Sequence, residues 1–168
     1  VIGPSFFPGI IARFRRQFPQ VEILIVEEGG RLVEQQVLEG TLDLGVVVLP
    51  VDENRFEMLP LVERELHLVV HARHPLSGRR KVHLAELKEE DFIMFRKGFS
   101  LYDRVREACI QAGFEPKVGY ESAQWDFIAE MAAAGLGIGL LPDTVCSRLD
   151  PERVRVIPET EPQIHWNL

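Results

Sequence analysis

No Gly-x-Ser-x-Gly elbow, zinc-binding motif or phosphate loop occurs in these 168 residues, so catalysis has no visible apparatus and no catalytic residue is assigned. Cysteine is scarce: Cys109 and Cys146 are too few for a disulfide scaffold and point to a reducing compartment. No apolar run approaches the roughly 18–20 residues that span a bilayer, so no membrane partner is expected. Positive charge is in deficit, with 19 Lys and Arg against 26 Asp and Glu. The resulting net charge of −7 argues against this stretch holding a nucleic-acid backbone by counterion release. A basic-then-apolar leader is also lacking, but the start on Val1 and a strand-like end lead us to expect a piece of something longer. Apolar content, by contrast, is ordinary at 46%, enough for one well-cored domain or two small lobes.

Periodicity supplies the elements. SFFPGIIARFRRQF reads as a helix over 5–18, with Ser5 as N-cap, Pro8 in the first turn and Pro19 as the stop. VEILIV (21–26) is apolar on both faces, as a central parallel strand is. RLVEQQVLEG is a short helix closed by Gly40, and LDLGVVVL (42–49) another strand. That order predicts a parallel sheet with right-handed crossovers. Two extended segments, FEMLPLVER and ELHLVVHA, then lead through RHPLSGRRKVH into a second lobe. There FIMF, KVGYE and GIGLLP are strands, and LYDRVREACIQAG and QWDFIAEMAAAG helices. VRVIP and IHWNL close the chain as extended pieces able to return to the first lobe.

Glycines 135, 137 and 139 raise the question of a dinucleotide loop. Such a site needs strand, glycine turn, then helix. Here the helix comes first, so the order is reversed and the glycines are read as structural, with no cofactor implied. Gly135 belongs at a helix C-cap, while Gly137 and Gly139 allow close helix-on-sheet packing.

The segments IGPS (2–5), FPGIIARFRRQFP (7–19), EGTLDLGVV (39–47), ERELHLVVHARHPL (63–76), DFI (91–93) and MAAAGLGIGLLP (131–142) follow one another over nearly the whole chain. In that order and spacing they resemble the effector-binding domain of LysR-type transcriptional regulators. The resemblance implies an α/β fold of two Rossmann-like lobes joined by crossing strands, periplasmic-binding-protein-like (type II). We expect lobe I to take 1–72 and 145–168 and lobe II 73–144. It also implies a cytoplasmic location, a homodimer through this domain and a tetramer at full length. Promoter DNA would be read only through an N-terminal winged helix-turn-helix, which this stretch does not contain. The last helix of the first lobe is expected to be missing as well.

A small effector, an organic acid, is expected in the cleft. Family effectors often sit at the first helix start, here Pro4, Ser5 and Phe6, where helix N–H groups and the dipole favour an anion, or else Ser5 is just a cap. Two further helix entrances follow strands: Arg96–Ser100, with Ser100 as N-cap, and Glu121–Trp125, with Ser122 as N-cap. Arg96 is placed to pair with a carboxylate, or else is merely solvated. Phe99 and Trp125 are either cleft walls or packing between lobes. Gly29 and Gly30 let backbone approach the cleft, or form only a turn. Pro142, ending the GIGLLP strand, completes the candidate set.

Other signals weigh less. His71 and His74, with His83 beyond, lack a carboxylate–histidine spacing, so no metal is assigned. Cys109 and Cys146 read as buried structural thiols, not a redox pair. Asp43 is read as satisfying local backbone donors, and FRR and GRRK as solvated surface. A transporter's solute-binding protein, on the same fold, is the competing function.

Overall fold

The computed structural model describes residues 3–52 and 54–167, with side chains described from residue 7 onward. Two helices, α1 (Gly3–Gln17) and α2 (Gly30–Leu38), come first. Then follow β1 (Glu63–His71), β2 (Lys81–His83), a 3-10 turn (Leu84–Leu87), β3 (Asp91–Phe95), α3 (Ser100–Gln111) and β4 (Lys117–Ser122). The chain continues with α4 (Trp125–Ala133), β5 (Ile138–Pro142), α5 (Asp143–Cys146), β6 (Val154–Ile157), β7 (Glu159–Glu161) and β8 (His165–Asn167).

One six-stranded sheet runs β4-β3-β5-β1-β6, with β8 also on β1. It is mixed. β3 is parallel to β4 and β5, whereas β1 is antiparallel to β5, β6 and β8. VRVIP and IHWNL therefore both end on β1. The sheet takes strands from both sides of the expected boundaries at 72/73 and 144/145. β2 and β7 form a separate parallel pair.

Apolar periodicity places the core. Leu66, Leu68, Val69 and Val70 on β1 are fully buried, as are Leu141 on β5 and Ile157 on β6. Trp166 is also at 0% exposure, and its indole N–H donates to the Glu65 carbonyl at 3.1 Å. β5 is buried along its whole length, as a central strand with a continuous apolar run must be.

Helix ends follow the glycines. Gly135 has φ +75, its N–H bonds the Ala132 carbonyl and the Leu136 N–H bonds the Met131 carbonyl, a complete Schellman cap for α4. The same pair of bonds closes α2 before Thr41 and α3 before Phe114. A β-carbon on Gly139 would come within 3.0 Å of Ile128 Cγ2, so α4 does pack closely on β5 there. Gly137 differs: its β-carbon would meet the Asp91 carbonyl oxygen at 2.3 Å, so the close neighbour is strand backbone, not a helix.

The first-lobe sheet is a correction. Residues 21–26 and 42–49 are not strands, and among the described residues 22–28 and 43–48 make no backbone–backbone hydrogen bond. Leu24 and Leu44 are 85% and 86% exposed. An apolar run predicts extended backbone, but a strand exists only where a neighbour supplies donors and acceptors, and these segments have none. α1 is also corrected. It begins at Gly3, ahead of the expected Ser5 cap, which puts Pro8 beyond the first turn.

Candidate functional site

A cavity of about 740 Å³ lies between the N-terminal segments and the loops that follow β3 and β4. That size suits a small molecule. On one side are Phe7 and Ile11 of α1, the run from Ile23 to Gly29, Gly30 of α2, and Val46–Val48. On the other are Arg96, Phe99, Ser100, Leu101, Ala123 and Gln124. The second set sits beyond the carboxyl ends of parallel β3 and β4, where open α/β sheets gather ligands.

Three helices begin at the cavity, α2 on the first side and α3 and α4 on the second. The N-cap of α2 is Gly29, that of α3 is Phe99 and that of α4 is Gln124, and none of them gives a side-chain cap bond. First-turn N–H groups without side-chain caps carry partial positive charge and favour an anion, but at α4 the Phe127 N–H already donates to Asp126 Oδ1 at 2.9 Å. Arg96 is the cavity's cation. Its backbone N–H bonds the Ser122 carbonyl at 2.9 Å, which sets the loop. Its guanidinium carbon lies over the Phe99 ring, 5.8 Å from the centroid, and it makes no ion pair among the described residues. Glu27 and Glu28 line the opposite wall.

The sequence-derived set divides as follows. Gly29, Gly30, Arg96, Phe99 and Ser100 line one cavity. Ser122, Trp125 and Pro142 do not. Trp125 is half-buried and packs on the core, and Pro142 is buried in register with Leu66. Pro4, Ser5 and Phe6 have side chains outside the described residues. Two expected caps are corrected. Ser100 is the first residue of α3 with Phe99 as its N-cap, and Ser122 ends β4. The Ser122 hydroxyl instead accepts from the Gln124 N–H at 3.0 Å, a local turn that comes before the helix. Sequence reasoning missed Phe7, Ile11 and Val47, because apolar residues at helical or strand spacing read as core, and it singled out the Glu121–Trp125 entrance without choosing Gln124 within it.

The remaining candidates have local explanations. His74 Nδ1 accepts from the Leu76 N–H at 3.2 Å, and its Nε2 lies 3.4 Å from Glu90. His71 Nδ1 accepts from the Arg73 N–H, and His83 faces Glu161. Among the described residues no group of three or more His, Cys, Asp or Glu could hold a metal. Cys109 and Cys146 are buried, and desolvation pushes each thiol up to about 12. In the GRRK cluster Arg79 pairs with Glu86 and Lys81 with Glu161, each at 2.7 Å. Asp43 is a correction: it is exposed and makes no hydrogen bond among the described residues, water being the competing partner of an exposed carboxylate.

The profile of the LysR substrate binding domain matches residues 1–168. The chain is 48% identical over its whole length to an uncharacterised HTH-type transcriptional regulator, YwbI, of Bacillus subtilis (strain 168), covering 56% of that protein. It thus spans about half the length of the curated relatives it matches. Full-length OxyR C199D from Pseudomonas aeruginosa superposes with a TM-score of 0.83 at 26% identity, covering 99% of this chain and 58% of that one. The CcmR regulatory domain of Synechocystis PCC6803, solved with 2-PG, gives 0.84 at 21% identity, covering 98% and 81%. No helix among the described residues is long and apolar enough to cross a membrane.

Proposed function

This chain belongs to the LysR substrate-binding domain family, and from that premise we propose that it is the sensing domain of a bacterial transcriptional regulator whose effector is a small carboxylate. The observation that carries the ligand class is Arg96. It lines the cavity near three helix starts, lies over the Phe99 ring, and has no ion-pair partner among the described residues. A carboxylate there would take charge-assisted bonds from the guanidinium and from helix N–H groups, each stronger than a neutral bond. The apolar stretch from Ile23 to Val26 and Val46–Val48 would cover the rest of the molecule. The CcmR domain, which shares the fold, was solved with 2-PG, which supports a small ligand in this architecture.

The domain does no chemistry on its ligand. Promoter binding belongs to another part of a full-length cytoplasmic regulator, consistent with the net charge of −7 on this stretch. The domain pairs with a second copy, for which the exposed Ile10, Phe14 and Phe18 of the α1 segment offer an apolar face. Sedimentation at increasing concentration tests the pairing. A transporter role has no support, since YwbI, the curated relative named above, is a transcriptional regulator.

The test of the ligand class is a thermal-shift panel of small carboxylates, each set against its carboxamide. A ligand at 100 times its dissociation constant adds about 2.7 kcal/mol of stability. Carboxylates that shift melting where their amides do not, and that lose the shift in Arg96→Gln, support the reading. Equal shifts from acid and amide would overturn it.

A further inference from the structure

Gly29 has φ −67 and ψ 143, a conformation open to any residue. Its backbone therefore does not call for glycine. Its surroundings do. A β-carbon on Gly29 would lie 3.2 Å from the Gly98 carbonyl oxygen, and one on Gly30 would lie 3.1 Å from Ser100 Oγ. The segment entering α2 is thus pressed against the loop entering α3, from the opposite wall of the cleft. Directly after this contact, Arg31 Nη2 donates to Asp103 Oδ2 at 3.2 Å, joining residues 72 apart in sequence. Neither Arg31 nor Asp103 lines the cavity. Both side chains are exposed, at 77% and 52%, so the pair is weak, salt-sensitive and readily broken.

We propose that the Gly29–Gly98 and Gly30–Ser100 contacts and the Arg31–Asp103 pair form a latch that sets how far the cleft opens. The two glycines allow the walls to touch, and the ion pair holds them there. Arg31 and Asp103 act as positioning residues, biasing the open–closed equilibrium without touching a ligand. The latch deepens the sensing role proposed above, because opening and closing is the motion an effector would bias.

The latch is read without any ligand. Spin labels on Glu39→Cys in the α2 cap and Gln111→Cys at the end of α3 report the distance between the walls, the native thiols being buried. The unaltered latch gives one dominant short distance. Arg31→Glu or Asp103→Arg raises the long-distance population about two- to fivefold, the range an exposed pair commands, and the double swap Arg31→Glu/Asp103→Arg restores it. Gly29→Ala shifts the population the same way without changing charge, because the obstructing atom is backbone oxygen. Unchanged distances in the single variants, or a double swap no better than they are, would overturn the ion-pair latch. An unchanged Gly29→Ala would overturn the steric contact. Failure of every carboxylate to bind would defeat the effector reading while leaving this distance measurement intact.

Discussion

The guanidinium of Arg96 lies 5.8 Å from the centre of the Phe99 ring, so the cavity's cation is within cation–π reach of a neighbour three residues along the same loop. An aromatic face suits a planar guanidinium better than a lysine ammonium. For a carboxylate found by the thermal-shift panel, Arg96→Gln is expected to cost about 1.5–3 kcal/mol of affinity. Arg96→Lys recovers part of it and Phe99→Ala loses part. Calorimetry measures all three. Equal affinity in Arg96→Gln and the native protein would remove Arg96 from the site.

Gly139→Ala should destabilise the domain by about 1–3 kcal/mol. Its β-carbon would lie 3.0 Å from Ile128 Cγ2, in the middle of a buried strand. Gly78→Ala is the control, because nothing lies within 4 Å of a β-carbon there. Urea midpoints for the two variants decide the matter.

Trp166→Phe keeps most of the buried ring but leaves the Glu65 carbonyl without its indole donor. The expected loss is about 1–3 kcal/mol for the unsatisfied acceptor. Trp166→Ala should cost about 3–5 kcal/mol, since the side chain is fully buried. A smaller loss for Ala than for Phe would contradict the packing described for β8.

The two thiols should react with an aromatic disulfide reagent only after unfolding. Both are buried, with ionisation pushed from 9.0 up to about 12. The sign of the pH effect follows from proton counts. Between pH 9 and 12 the unfolded chain has lost protons that the folded chain keeps, so stability falls as pH rises through that window. Unfolding free energies measured at pH 8 and pH 10.5 in Cys109→Ser and the native protein test this, the variant falling less steeply. Fast native labelling at pH 7.5 would contradict the burial.

Where a residue's role is local, the sequence was a sufficient guide. Gly40, Gly113 and Gly135 all have positive φ at the helix ends where the sequence placed them. β1, β3, β4 and β5 and helices α3 and α4 coincide with apolar runs or amphipathic repeats. The helix-before-glycine order expected at 135–139 is the order found, with α4 ahead of Gly135 and β5 from Ile138. The antiparallel joining of β1 to β5, β6 and β8 was not legible, because pairing partners far apart in sequence leave no trace in periodicity. The same holds for residues 21–26 and 42–49, whose apolar runs look like central strands yet have no ladder. Ser100 and Ser122 carry the right side chain for a cap, but the backbone turns one residue earlier in one loop and two residues later in the other. In the cleft, sequence alone identified the chemical groups at strand ends, Arg96 and Phe99 among them. Which of those groups face one cavity, and that Gly29 touches Gly98 while Arg31 reaches Asp103, only the tertiary structure decided, because each depends on two segments meeting that local backbone preferences never bring together.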